Sequence, residues 1–164
     1  MKPSISSVAI ALLMLAFTSY ANDHHENSGN DAQHHITFTT ESVQWLEGPA
    51  SLEQGAKYAV LEGDPSQTGI FTMRLKLPDG FIIAPHWHPN VERVTVLSGT
   101  FKLGQGDTID TESTHAFTAG SYISMPPEMR HYAIAEGQTI IQLTSQGPWL
   151  IHYIHAGDDP RTRQ

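Results

Sequence analysis

Two histidines, His86 and His88, are the residues of this sequence whose spacing most clearly predicts chemistry. Alternate residues of a β-strand point to the same face, so two imidazoles at this spacing converge on one point. Pro89 and Asn90 then turn the chain, and Glu92 opens the next strand, which can bring a carboxylate back beside the imidazoles. Imidazole and carboxylate ligands together indicate a transition-metal site.

His131 completes the candidate ligand set from a distant part of the chain, at the start of a strand that follows the turn 126–129. Three imidazoles and one carboxylate suit a borderline ion, so we expect one divalent transition metal: Mn, Fe, Co, Ni, Cu or Zn. Calcium and magnesium prefer oxygen ligands and are disfavoured. A six-coordinate ion with four protein ligands keeps open positions for water, oxygen or substrate, and Glu92 is then the candidate catalytic base.

Six residues are candidates for the wall of a substrate pocket, among them Arg130 and Tyr132 beside His131 and Gln142 on the following strand. They combine apolar, aromatic and polar side chains: Met73, Phe81, Tyr122, Arg130, Tyr132 and Gln142. For the apolar and aromatic members, ordinary core packing is the commoner role. Trp87 lies between the two histidines and should face away from the metal, so we interpret it as a packing residue and a candidate for a homodimer interface. Glu128 is expected to be an exposed turn residue rather than a charge at the pocket mouth.

The other histidines of the domain are expected to play no part in this centre. His115 falls in the polar stretch 107–118, which predicts an exposed hairpin. His152 and His155 lie three residues apart and do not share a strand face. Solvated or packed histidines are therefore favoured over a second metal site.

Short strands separated by Gly, Pro and Asp follow one another from about Val43, without a convincing helical period. In the strand 69–77, apolar residues alternate with polar ones, so one face of the strand is core. Val94 and Val96 share the parity of Glu92 and should line the same interior. The strands are expected at 57–61, 69–77, 81–86, 92–98, 100–103, 121–125, 131–135, 139–144 and 149–155. Many short antiparallel strands favour an all-β sandwich or barrel, and a closed jelly roll removes exposed edges.

The segment around the two histidines resembles the first conserved motif of the cupin superfamily. Gly80, His86, His88, Glu92 and Gly99 stand at every defined position of that motif. The resemblance implies a single-domain cupin, a double-stranded β-helix or jelly-roll barrel, similar to small secreted bacterial single-cupin proteins of the type-2 kind.

A second segment resembles the second cupin motif in part. Gly120, Pro126 and His131 fall at the expected positions, whereas Glu128 replaces the usual turn glycine and Ala135 the usual terminal asparagine. Both departures touch turn and packing positions, not a ligand. Together the motifs span roughly residues 70–145, and the resemblance implies that the two histidines of the first motif, its glutamate and His131 are the metal ligands.

The beginning of the chain predicts a secretory signal peptide. Lys2 gives a positive start, 8–17 is an apolar run, and small residues precede an expected mature start near Asn22. Ten apolar residues fall short of the roughly 20 that span a bilayer as a helix. A periplasmic or secreted protein is therefore expected, with no membrane attachment after signal removal. The predicted organisation is signal peptide 1–21, flexible His-rich arm 22–42, cupin domain 43–157 and polar, frayed tail 158–164.

Composition excludes several classes of protein. The formal net charge is −8 at pH 7 and the basic residues are scattered, which argues against a nucleic-acid partner. The sequence contains no cysteine, so neither a disulfide scaffold nor lipid attachment at a cysteine is available. The resemblance implies a metal-dependent oxygenase or isomerase acting on a small molecule. The alternative is a non-catalytic module that binds or senses a metal or a small ligand.

Overall fold

A computed structural model of the protein describes residues 35–163 and consists mainly of β-strands. The predicted signal peptide and most of the predicted His-rich arm lie outside these residues. The strands are β1 (Leu46–Glu47), β2 (Lys57–Glu62), β3 (Gly69–Leu77), β4 (Ile82–Trp87), β5 (Glu92–Gln105), β6 (His115–Thr118), β7 (Tyr122–Met125), β8 (His131–Gly147) and β9 (His152–Tyr153). Three short 3-10 turns cover Thr111–Ser113, Ala156–Asp158 and Pro160–Thr162. No helix among the described residues is long and apolar enough to cross a membrane.

The two long strands β5 and β8 each take part in two layers. The second half of β8 pairs with β3 and with the first half of β5, while the first half of β8 pairs with β4 and the second half of β5. The smaller strands extend these layers: β2 pairs with β3, β7 with the start of β5, β6 with its second half, and β9 with β4. All of these pairings are antiparallel. This is the predicted jelly-roll architecture.

The sequence predicted a break in each long strand, and that prediction was wrong. The pairing of β5 with β8 shifts register between Val96 and Ser98 and again between Ser98 and Thr100. Gly99 lies there with a φ of 75°, a conformation that glycine adopts without a steric penalty. Gly137 in β8 has a φ of 69°. The glycines therefore bend continuous strands, which lets each strand pass from one layer to the other.

The predicted core face of β3 is confirmed. Phe71, Met73, Leu75 and Leu77 are at most 1% exposed. Val94 is also buried, together with Glu92 of the same parity, while the intervening side chains of β5 reach the surface or its edge. Burial of these alternate residues encloses one apolar interior between the layers.

The end of the chain differs from the prediction. The strand expected at 149–155 is reduced to β9, and residues 156–163 form two 3-10 turns instead of a frayed tail. Asp159 accepts a hydrogen bond from the backbone N–H of Arg161, and the Arg161 guanidinium donates to the carbonyl of Ile151 at 2.9 Å. Arg163 in turn contacts the Glu53 carboxylate. Side-chain capping and these guanidinium contacts hold a segment whose polar composition suggested disorder.

Candidate metal centre

Three histidines meet inside the barrel. His86 of β4 pairs directly with His131 of β8, and His88 follows just after the end of β4. One ring nitrogen from each lies within 4.8 Å of the others, and the Nε2 atoms of His86 and His88 are 3.1 Å apart. Each side chain is at most 5% exposed. The predicted convergence of the three imidazoles is therefore observed, and the group can hold a metal ion.

A backbone carbonyl fixes the orientation of each ring. The Nδ1 atoms of His86, His88 and His131 lie 2.7–2.8 Å from the carbonyl oxygens of Ala84, Leu150 and Met129, respectively. A carbonyl only accepts hydrogen bonds, so each Nδ1 carries the proton and donates it. In a neutral imidazole the other nitrogen, Nε2, then presents a lone pair. Hydrogen bonding of this kind behind a ligand is the usual support of a metal-bound histidine.

These lone pairs face one another rather than a donor. With Nδ1 as the donor on both rings, the 3.1 Å contact between His86 and His88 joins two acceptors and gains no hydrogen bond. Burial and the neighbouring His131 and His88 hold the pKa of His86 well below its ordinary value, which favours the neutral ring. Burial also lowers the pKa of His131, against the opposing influence of Glu92. The donor set therefore suits a cation that accepts all three lone pairs.

Glu92 lies at the edge of the same group. Its Oε1 atom is 3.4 Å from His88 Nε2 and its Oε2 atom 3.9 Å from His131 Nε2, with the residue 5% exposed. The indole of Trp149 donates a hydrogen bond to Oε1 at 3.0 Å. Withdrawing a carboxylate from water is costly unless it is hydrogen-bonded and faces positive charge. The indole provides the hydrogen bond, and a metal ion among the imidazoles would provide the charge.

Little free space adjoins the ligands. The interior cavity at the centre measures about 20 Å³, roughly room for one water molecule. Apart from the four polar side chains, its walls are aliphatic or aromatic: Leu75, Ile83, Val94, Phe101, Ala133, Ile141, Leu143, Trp149 and Ile151. Such walls exclude water and make the four polar side chains the main polar contacts for anything that enters.

The predicted pocket residues do not form the wall of this cavity. Tyr122 is 60% exposed on the outside of β7. Arg130 forms a surface ion pair with Asp107. Gln142 accepts a hydrogen bond from Arg74 on the outer face of the sheet. All three side chains lie outside the cavity, which the sequence alone did not reveal because each of these residues neighbours an inward-facing one.

The other three candidates, Met73, Phe81 and Tyr132, are packing residues, the role that is commoner for apolar and aromatic side chains. Phe81 and Met73 belong to the core, and Met73 also lines a second cleft outside the metal cavity. Tyr132 is fully buried on the other side of β8 from His131. Its hydroxyl donates to the carbonyl of Asp110 at 2.7 Å and accepts from the N–H of the same residue at 3.0 Å.

Trp149 contacts two of the candidate ligands, and the sequence did not identify it as part of the site. Its indole donates to Glu92, and its ring stacks on His88 with centroids 5.8 Å apart. The contact with Glu92 joins residues 57 positions apart in the sequence, so no local pattern predicts it. The one available signal was that a tryptophan beside the Gly147-Pro148 turn needs a partner for its N–H when it is buried.

The turn before His131 is hydrogen-bonded to the backbone of His88. Glu128 is exposed, as predicted, and its backbone N–H donates to the carbonyl of His88 at 2.8 Å. Its φ is 62°, in the left-handed region that favours glycine. This explains why the resembling motif has a glycine at this position, and it shows that the turn geometry is kept without one.

His115, His152 and His155 lie outside this group of three histidines. Trp87 points away from the centre and stacks on His152, with centroids 4.1 Å apart. His155 contacts the carbonyl of Asp107 through Nε2. His115 lies in the predicted hairpin, on β6. Among residues 35–163, the group of His86, His88 and His131 is the one that meets the geometry of a metal site.

Comparison with known proteins gives one family match. A family model described as a domain of unknown function, DUF4437, matches residues 12–152, most of the chain. No curated protein matches the sequence.

Solved structures share the fold at low sequence identity. An RmlC-like cupin from Shewanella frigidimarina is 19% identical, with a TM-score of 0.52 over 68% of this chain and 89% of that one. A polyketide cyclase from Streptomyces resistomycificus is 18% identical, with a TM-score of 0.59 over 78% of this chain and 92% of that one. An acetylacetone dioxygenase from Acinetobacter johnsonii is 16% identical, with a TM-score of 0.57 over 76% and 80% of the two chains. These likenesses show the cupin jelly-roll fold.

Proposed function

The chain belongs to the DUF4437 family, and we propose that it is an exported cupin that binds one divalent transition metal through His86, His88, His131 and Glu92. One observation carries the metal: three Nε2 lone pairs, each fixed by a carbonyl behind its ring, converge at a buried point. Glu92 is proposed as the fourth ligand because its two carboxylate oxygens lie 3.4 and 3.9 Å from the nearest ligand nitrogens. Mn, Fe, Co, Ni, Cu and Zn all suit these ligands.

We propose further that the protein is a metal-dependent oxygenase or isomerase acting on a small molecule. When bound, the metal would polarise a substrate oxygen or lower the pKa of a bound water. The residues of the chain orient the carboxylate and exclude solvent: the apolar walls keep out bulk water, and the indole N–H of Trp149 holds Oε1 of Glu92. Oε2 receives no indole hydrogen bond and is the atom at which Glu92 would accept a proton. The structural relatives include a dioxygenase and a cyclase, reactions that this fold can therefore accommodate.

The second candidate is a non-catalytic module that binds or senses a metal or small ligand. The volume of the cavity favours it, because about 20 Å³ admits little more than one water beside the ligands. Catalysis on an organic molecule would therefore require the wall at Trp149 to move or the substrate to approach from its far side.

Metal analysis followed by oxygen uptake separates the two candidates. The purified mature protein would be analysed for its native metal and then supplied with catechol-like and flavonol-like compounds. Oxygen consumption that disappears in His131→Ala supports the oxygenase. One equivalent of retained metal, a saturable ligand shift and no turnover of any compound would favour the binding module.

Export, domain boundaries and partners are proposals on sequence grounds. The apolar run 8–17 and the small residues before Asn22 support cleavage near that residue, with the arm 22–42 preceding the domain 43–157. Cell fractionation and N-terminal sequencing of the mature protein test export to the periplasm or beyond. We propose two partners, a small-molecule ligand and a second copy of the chain bound through the surface near Trp87. We propose neither a nucleic acid nor a membrane as a partner. Sedimentation of the wild type and Trp87→Ala tests the dimer.

A further inference from the structure

A second cleft shares one lining residue, Trp149, with the cavity at the metal centre. Its volume is about 320 Å³, far larger than the cavity at the metal centre and within the roughly 300–1,000 Å³ typical of small-molecule pockets. It is formed mainly by proline, aromatic and sulfur-containing side chains: Pro49, Tyr58, Pro65, Met73, Pro148 and Trp149. Space for an organic molecule therefore exists in this cleft rather than in the cavity beside the proposed ligands.

The chemistry of this cleft specifies the kind of ligand. Two rings, Tyr58 and Trp149, offer faces for stacking, and the prolines and Met73 offer rigid or polarisable apolar contacts. Ser51 and Ser66 add polar groups at the wall. Among the described residues that line the cleft, none carries a formal charge at neutral pH. A neutral molecule with an aromatic ring and a hydroxyl or carbonyl group matches these walls best.

One short segment connects the cleft to the metal centre. Residues 148–150 form a wall of the cleft. Within that wall, the Trp149 indole donates to Glu92, and the Leu150 carbonyl accepts from His88 Nδ1 at 2.8 Å. The backbone N–H of Trp149 donates to the carbonyl of Pro65, another residue that lines the cleft, at 2.7 Å. A ligand that moves this wall changes the hydrogen bonds behind two metal-centre residues.

We propose that this cleft binds a small neutral molecule carrying an aromatic ring and that its occupancy is transmitted to the metal centre through Trp149 and Leu150. The inference goes beyond the proposed function, because the cleft and its walls do not require the metal or a reaction. The coupling between the cleft and the metal centre rests on the proposed metal site.

Binding to the cleft is tested by nitrogen-15 NMR with 1-naphthol as the probe. The sequence contains three tryptophans, Trp45, Trp87 and Trp149, so the protein gives three indole N–H resonances, and Trp149→Phe identifies one of them. In metal-free protein, 1-naphthol should move the Trp149 resonance saturably and leave the other two in place. Ser66→Trp, at the exposed rim of the cleft, should raise the Kd about tenfold or more.

The control variant is Ser124→Trp, an equally exposed serine on β7 outside the cleft, which should change the Kd by less than about twofold. A dispersed amide spectrum shows that both variants fold. Absence of a saturable shift at Trp149, or equal binding in the two variants, would overturn the proposed cleft site whatever the metal result.

The coupling is tested by measuring the zinc Kd, through competition with a chelator, with and without saturating 1-naphthol. Coupling between two sites is reciprocal, so the ligand should change the zinc Kd by about threefold or more, and zinc should change the naphthol Kd by the same factor. Naphthol binding with an unchanged zinc Kd would overturn the coupling. Failure to bind zinc at all would instead contradict the proposed metal centre and leave the cleft result standing.

Discussion

Trp149 offers a prediction that isolates one hydrogen bond at the metal centre. Trp149→Phe keeps an aromatic ring against His88 but removes the indole N–H that Glu92 accepts at 3.0 Å. Losing a hydrogen-bonding partner behind a ligand typically weakens metal affinity by about 10–100-fold. That factor corresponds to about 1.4–2.7 kcal/mol, which agrees with the roughly 1.5–3 kcal/mol of a hydrogen bond to a charged group. We therefore expect the zinc Kd to rise by one to two orders of magnitude.

The assay is competition between the protein and a chelator of known zinc affinity, at fixed pH and salt. The matched control is Trp87→Phe, since Trp87 stands between two of the proposed ligands in sequence but stacks on His152 outside the centre. The control should bind zinc as the wild type does. Equal zinc affinity in Trp149→Phe, wild type and control would refute the reasoning that the indole holds Glu92 in a ligand position.

Three further predictions concern stability. Gly104→Ala places a Cβ within the ring of Tyr132 and should lower the free energy of unfolding by about 1–3 kcal/mol in urea titration; an unchanged value would show that the ring can move. Glu128→Gly should raise the free energy of unfolding by about 1 kcal/mol in the same titration, because glycine adopts the φ of 62° without the steric cost of a side chain. A lower free energy of unfolding would contradict this reason. Metal-free protein should be stable above about pH 6.5 and lose stability as the pH falls below it, because burial lowers the pKa of His86 and His131 in the folded state while the unfolded chain regains ordinary values and binds more protons. Urea unfolding between pH 8 and pH 5 measures this effect, and a flat profile would contradict it.

The fold was predictable because its signals are local. Alternation in β3 identified its buried face, and the parity of His86, His88 and Glu92 placed their side chains in one interior. The strand breaks expected near Gly99 were wrong, since a glycine signals a bend as readily as an end. Only the pairing with β8, which is a long-range feature, distinguishes the two.

The surroundings of the site were much less predictable. The position of Arg130 beside His131 suggested a pocket residue, yet its side chain lies at the surface. Tyr122, another candidate, is also exposed, because its side chain points to the outer face of β7. The carbonyl of Leu150 and the indole of Trp149 reach the centre across 62 and 57 residues. Contacts at such separations depend on how the layers pack, and no motif in the sequence encodes them.

Metal stoichiometry tests the central claim most directly. The mature protein, stripped with a chelator and reloaded with zinc or manganese, should retain one equivalent after desalting, and His88→Ala/His131→Ala should retain none. A variant without residues 22–36 should still retain one equivalent, because the proposed ligands all lie within the barrel. One tightly held equivalent in the double variant would contradict the account and place the metal elsewhere.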